Sequence, residues 1–454
     1  MKVAVESGNV VAGQFDINGA MANRGLSPNV ELNRLSPEDR PVHRWYRFVL
    51  SYPPHLVRTY VERFGLTAED CVLDPFCGTG TTVVECMRQG IPSVGVEANP
   101  MAHFASKTKV DWTPDPDGLR RHASLVAEAT LRTLQQGGID DQAAFGAATV
   151  DPTALHRLSA NLSDLLLTDS ISPLPLHKSL LLLESVRAHH DWRYAAHEKL
   201  ALAKALVFGV GNLQFGPEVG VGPRKVDAPV VAIWLAGVHA IAEDLAAVQS
   251  RVGAQAKVLL GDSRQVVRAL PPNSVSAVIT SPPYPNEKDY TRTTRLESVL
   301  LGFIQSKEEL RALKRSLVRS NTRGVYKADD DDQWVAGQAE IQRIAQAIEA
   351  RRLELGKTSG FERMYARVTK LYFGGMARHL AELRTALRPG AQLAYVVGDQ
   401  ASYLRVMIRT GQILADIAVS LGYQVQNIDL FRTRLATATR EQLREEVLVL
   451  RWPG

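Results

Sequence analysis

The stretch from Cys71 to Ala98 constrains the fold of this chain more than any other. Cys71 to Phe76 reads as a short buried strand, Thr81 to Gln89 as a helix stopped at Gly90, and Ser93 to Ala98 as a second strand. Strand, helix and strand in this order make a βαβ unit. The connection Asp74-Pro75-Phe76-Cys77-Gly78-Thr79-Gly80-Thr81-Thr82 must turn sharply, and Gly78 and Gly80 let backbone approach a ligand where a side chain collides. A helix N-terminus then faces that ligand, and Glu97 sits at the tip of the next strand, where ribose hydroxyls seek a carboxylate. The unit therefore predicts an adenosine-type ligand. A pyrophosphate is not expected, because the third small residue of a dinucleotide loop is replaced by Val83.

Further strands are expected at Ala256 to Gly261, Val275 to Thr280, Gln392 to Val397, Gln424 to Leu430 and Glu446 to Arg451. With helices between them they predict an α/β chain with a doubly wound sheet, its last two strands forming an antiparallel edge. Residues 1–41 read as an irregular arm. Pro53-Pro54 suits a helix start, with Leu56, Val57, Tyr60, Val61 and Phe64 at helical spacing behind it. The sheet-bearing domain is assigned to 42–112, 228–304 and 358–454. Between its parts lie a helical insertion, 113–227, and a second excursion, 305–357. That excursion carries Lys307, Arg311, Lys314, Arg315 and Arg319 and then Asp329 to Asp332, runs that read first as solvated faces or loops.

A chain of 454 residues, 45% of them hydrophobic, can bury a substantial core in one or two domains. Its net charge of +5 suits a polyanionic partner. Cys71, Cys77 and Cys86 are the whole cysteine complement and have no histidines at ligand spacing, so a disulfide frame, a zinc site and any other metal are not expected. The N-terminus shows no secretory pattern, and no charge-free apolar run reaches about 18 residues, which predicts a cytoplasmic chain with no membrane partner.

Thr280-Ser281-Pro282-Pro283-Tyr284, taken with Asp74 to Thr82, resembles the amino-directed DNA methyltransferases, in particular the N4-cytosine type with an SPPY motif. The resemblance implies a Rossmann-like, S-adenosylmethionine-dependent methyltransferase fold with helical insertions. It assigns Asp74 to the ammonium end of the cofactor and Thr81 to its neighbourhood, with Pro75, Phe76, Gly78 and Gly80 forming the loop. Asp262 in Gly261-Asp262-Ser263 would accept the adenine amino group, and Tyr52-Pro53-Pro54 resembles the element on the methionine side. A cognate restriction endonuclease is a further partner of such enzymes.

The exocyclic nitrogen of cytosine or adenine is a poor nucleophile, because its lone pair is delocalised into the ring. The Ser281 oxygen and the Pro282 carbonyl can accept its two N–H groups and aim the lone pair at a sulfonium methyl. Pro283 stiffens the loop, and Tyr284 can stack on a base flipped from duplex DNA. A carbon-directed mechanism needs a cysteine at this place, and none is present. Within the resembling family Ser at the first position is typical of N4-cytosine enzymes and Asp or Asn of N6-adenine ones. Adenine remains the alternative, followed by RNA or protein amide nitrogen.

Asn286 to Arg292, with Arg295, are candidates to face DNA, as is the Gly/Pro-rich loop Phe215 to Lys225 ending in Arg224 and Lys225. The resemblance covers about 42–110 and 256–300, and more loosely Leu387 to Asp399 and Glu446 to Arg451. It leaves the target-recognition segment to one of the two excursions.

Overall fold

The computed structural model describes residues 35–48, 51–142, 151, 153–216, 218–251, 254–285, 288–435 and 442–454. Most of the N-terminal arm, Pro217, Asn286 and Glu287 lie outside these residues. The central sheet holds β1 (Val72–Asp74), β2 (Ser93–Glu97), β5 (Ala256–Leu260), β6 (Val275–Thr280), β7 (Leu387–Gly398), β8 (Gln424–Leu435) and β9 (Gln442–Arg451), in the order β5-β2-β1-β6-β7-β9-β8. A separate hairpin pairs β3 (Leu213–Phe215) with β4 (Val219–Val221).

β1, β2, β5, β6 and β7 pair in parallel, and β9 pairs antiparallel with both β7 and β8. The last strand is thus wedged inside the sheet and β8 forms its outer edge. This order, with one antiparallel strand beside the edge, is a Rossmann-like, doubly wound α/β sheet. β7 is longer than its apolar run suggested, because Leu387 pairs with Val275 before an irregular step at Arg388-Pro389-Gly390 brings Gln392 opposite Ala277.

The helices that matter for the site are α1 (Pro54–Arg63), α2 (Thr81–Arg88), α3 (Pro100–Lys109), α4 (Pro116–Gln136), α5 (Pro173–Ala188), α6 (Ala195–Ala205), α7 (Val230–Val248), α8 (Lys307–Ser316), α9 (Ala339–Glu354), α10 (Tyr365–Leu383) and α11 (Thr410–Ser420). One face of the sheet packs its Ala277, Ile279, Ala394, Val396, Val447 and Val449 against Leu56, Val57, Tyr60 and Val61 of α1. The other face packs Leu73, Val278, Leu393 and Leu448 against α9, α10 and α11. Alternation of inward residues along each strand gives both faces an apolar set, as a sheet covered by helices on both sides requires.

A third core joins α4, α5, α6 and α7 and continues onto Val84, Met87 and Met101 beside the sheet. α7 is long and apolar enough to cross a membrane, but in this fold Val230, Trp234, Val238, Ile241 and Leu245 are buried in that core. Its Asp244 accepts the Arg44 guanidinium at 2.7 Å and the Trp45 indole at 2.9 Å. The β3–β4 hairpin inside the helical insertion was not foreseen. Its strands are three residues each and carry too little alternation to register as a pattern.

The charge runs of the second excursion are not simply solvated. Arg319 is buried and pairs with Asp329 at 2.7 Å, and Asp331 is buried between Arg264 at 2.5 Å and Arg378 at 3.2 Å. The chain at Asp331 lies against α10 so closely that a Cβ on Gly374 would fall 1.8 Å from the Asp331 carbonyl oxygen. Glycine there lets the excursion dock onto the sheet domain.

Candidate active site

A cavity of about 740 Å³ opens at the C-terminal ends of β1, β2, β6 and β7, where open α/β sheets bind ligands. Its wall includes Tyr52, Pro75, Phe76, Gly78, Thr81, Glu97, Ser263 and all of Ser281, Pro282, Pro283 and Tyr284. The cofactor-type loop and the proline-bounded clamp, about two hundred residues apart, therefore share one space. That volume is in the range of sites for a drug-sized ligand, roughly 300–1,000 Å³.

β1 ends at Asp74, whose carboxylate is fully buried behind the wall. It accepts Thr280 Oγ1 at 2.6 Å, Tyr52 Oη at 3.1 Å and the Phe76 N–H at 3.1 Å. Burial raises its pKa, and these donors oppose that rise. Tyr52 also pairs with the Thr82 hydroxyl, which donates to the Ile279 carbonyl at 3.0 Å. One network thus ties Tyr52, two residues before α1, to β1, α2 and β6. Pro53 caps α1 and, like Asp74 and Gly80, lies behind the cavity lining.

Gly78 and Gly80 both adopt positive φ, at 53° and 88°. Glu97 closes the loop from β2, accepting the Gly78 N–H at 2.8 Å and the Asn99 N–H at 2.7 Å. Burial pushes its pKa up to about 7 in spite of those backbone donors. The Phe76 ring stands edge-on to His379 at 4.9 Å, and that imidazole is fixed by the Ser263 carbonyl at 2.9 Å and Tyr395 Oη at 2.7 Å. Burial lowers the His379 pKa to about 4, so the ring is neutral. Glycine turns, a carboxylate at the strand tip and an aromatic wall are a donor set that fits the adenosyl and amino-acid parts of S-adenosylmethionine.

Asp262 stands differently from its expected place. Its carboxylate accepts the Arg264 N–H at 2.9 Å, capping the turn Ser263–Ala269, and pairs with the Arg264 guanidinium at 2.7 Å. Arg264 is buried and demands anionic partners, so Asp262 is drawn towards it and faces a smaller cavity beside Leu260 and Glu309. Ser263 is the polar side chain that this corner presents to the main cavity.

At the clamp, Ser281 Oγ donates to the Val396 carbonyl of β7 at 3.2 Å, which uses its proton and leaves its lone pairs as acceptors. The Tyr284 ring lies on the bare backbone of Gly398, where a Cβ would come 3.0 Å from Tyr284 Cε2 and 3.3 Å from Glu445 Cγ. The chain that follows is clasped by the second excursion. Asp289 pairs with Lys314 of α8 at 3.0 Å, and Asn321 Nδ2 donates to the Lys288 carbonyl at 3.0 Å.

The four basic candidates are scattered. Arg224 is exposed and pairs with Asp169 at 2.6 Å. Lys225 Nζ donates to the Gly209 carbonyl at 2.6 Å, and Arg295 donates to the carbonyls of Leu165 at 3.1 Å and Thr291 at 3.2 Å, so both serve internal backbone. Arg292 borders a narrow side pocket with Phe48, Phe215 and Tyr290. The main cavity instead draws on Lys288, from the stretch expected to face DNA, on Lys314 and Arg319, which read as part of a solvated charge run, and on Arg432, which the sequence did not single out. Their contribution depends on contacts between segments far apart in the chain, which no local pattern records.

The sequence profile of the N6/N4 family, described as DNA methylase, matches residues 30–107. The Type II methyltransferase M.BsoBI of Geobacillus stearothermophilus is 25% identical over 449 residues, covering 89% of this chain and 83% of that protein. The Type II methyltransferase M.AvaI of Nostoc sp. is 23% identical, covering 92% and 87%. A crystal structure described as a DNA modification methylase from Thermus thermophilus aligns with 43% of this chain and 51% of that one, at 16% identity and a TM-score of 0.21. These matches, which in both Type II methyltransferases run along nearly the whole length of the chain, support a DNA methyltransferase of the N6/N4 kind.

Proposed function

We propose that this DNA methyltransferase acts on the N4 nitrogen of cytosine in duplex DNA, with the base flipped into the cavity beside Tyr284. The observation that carries the reading is Ser281 at the first clamp position, with its proton turned to the Val396 carbonyl and its oxygen left to accept. The Pro282 carbonyl is the second acceptor, and together they hold both N–H groups of a planar amine. Tyr284, backed by Gly398, offers a flat apolar surface to the ring.

The family's methyl donor is S-adenosylmethionine, which supplies an electrophilic methyl group when bound. Residues suited to hold it are Phe76, Gly78 and Thr81 along the loop, Glu97 towards ribose hydroxyls, Ser263 at the far corner, and Tyr52 with Asp74 beneath. Desolvation within the cavity strengthens each of these polar contacts. A cognate endonuclease as partner is consistent with the Type II names of both relatives.

The test is nucleoside mass spectrometry of unmethylated bacterial DNA after incubation with protein and methyl-labelled S-adenosylmethionine. N4-methylcytosine is expected. N6-methyladenine as the sole product moves the assignment to the second amino-directed reading. Ser281→Ala and Tyr284→Ala are each expected to lower turnover by about 100-fold or more while leaving cofactor affinity within a few-fold, the range for losing a preorganised transition-state contact.

A further inference from the structure

Lys109 ends α3, and its side chain is buried to 1% exposure. A lysine so deep in a fold is rare unless it is paired, because its charge is costly to desolvate. The charged or titratable neighbours that bear on it are His43, Arg47, Lys204 and the Cys77 thiol, and none is a carboxylate. Burial, reinforced by Arg47, lowers its pKa to about 7. What Lys109 does have is one short contact: Nζ donates to the Thr79 carbonyl at 2.9 Å. Thr79 stands between the two glycines of the cofactor loop.

The rest of α3 explains why this contact is specific. Ser106 lies one turn before Lys109 on the same helix face, and its Cβ would be 3.0 Å from a Cβ on Gly80. The Gly80 N–H bonds the Cys77 carbonyl at 2.9 Å, so the peptide between Thr79 and Gly80 is gripped on both sides. α3 itself starts from a fixed point, since Asn99 Oδ1 accepts the Met101 N–H at 3.0 Å and Asn99 Nδ2 donates to Thr294 Oγ1 at 3.1 Å. The first-turn N–H groups of α2, which have no partner within the helix, follow directly from that peptide.

We propose that Lys109 is the positioning residue of the cofactor loop: from behind, it fixes the Thr79–Gly80 peptide so that the first turn of α2 is aimed into the cavity. The inference rests on the methyltransferase reading for the identity of the ligand, and it adds a residue 30 positions beyond the motif. Lys109 touches neither cofactor nor base. Its effect appears in ground-state cofactor binding and not in the chemical step.

The experiment is titration calorimetry with S-adenosylhomocysteine on wild type, Lys109→Met and Lys109→Arg, alongside steady-state kinetics at saturating cofactor. Lys109→Met keeps the stem and removes the donor, leaving the Thr79 carbonyl unpaired. Its Kd is expected to rise about tenfold, the scale of one buried acceptor left unsatisfied. Its kcat is expected to stay within about twofold and the DNA KM to be unchanged. Lys109→Arg retains a donor and is expected to recover most of the affinity. Wild-type affinity in Lys109→Met, a fall in kcat with Kd unchanged, or an equal loss in both variants overturns the proposal. If wild type itself binds no S-adenosylhomocysteine, the cofactor reading fails instead.

Discussion

At Glu97 folding and binding make opposite demands on one carboxyl. Burial holds its folded pKa at about 7, above the ordinary 4.5, so the folded state keeps a proton that the unfolded chain releases. The ligand-free protein should therefore lose stability from this residue as pH rises from about 4.5 through about 7. With Glu97 in the proposed ribose-facing role, the ionised carboxylate is the stronger acceptor, so cofactor affinity is expected to fall below about pH 7 and to become flat and weaker in Glu97→Gln, as calorimetry across neutral pH will show. Gly398→Ala is a second residue-level prediction. The added methyl meets the Tyr284 ring, so turnover is expected to drop by about tenfold or more with cofactor affinity unchanged. Glu97 and the Ser281 to Tyr284 run were legible in the sequence because each follows a strand at a motif spacing. Gly398 and Lys109 were not, since one matters through a ring 114 positions earlier and the other through a carbonyl 30 positions earlier.

Among the elements, α8 holds the chain just after the Ser281 to Tyr284 run. Asp289 and Lys314 are 7% and 15% exposed at their side chains, so their pair is largely desolvated, and removing one partner strands the other. Lys314→Met is expected to destabilise the protein by about 3 kcal/mol and to lower turnover, whereas Asp289→Asn combined with Lys314→Met costs less than the sum of the single changes. Thermal unfolding and kinetics on the three variants check this, and strict additivity rules the clasp out. The strands were readable because buried Val, Ile and Leu runs are bounded by turn residues. The extra length of β7 and the β3–β4 hairpin were not, because an irregular Arg388-Pro389-Gly390 step and three-residue strands fall below any periodic signal.

For the molecule as a whole, the charge of +5 predicts duplex binding that weakens steeply with salt. If Arg224 contacts a phosphate, Arg224→Ala reduces the slope of log affinity against log salt by about 1, measured by fluorescence anisotropy on a labelled duplex, and an unchanged slope removes it from the interface. The α/β class followed from the alternation of strands and helices, but which strand neighbours which depended on pairings between distant segments. One of these, β9 seated between β7 and β8, has a consequence for how the protein is made. While the ribosome has delivered β8 but not β9, the two sheet-edge strands on either side of the missing one have no partner to bridge them. Ser281 and Tyr284 lean on Val396 and Gly398 of β7, so a nascent chain carries the whole Ser281 to Tyr284 run before it has the strand that supports it.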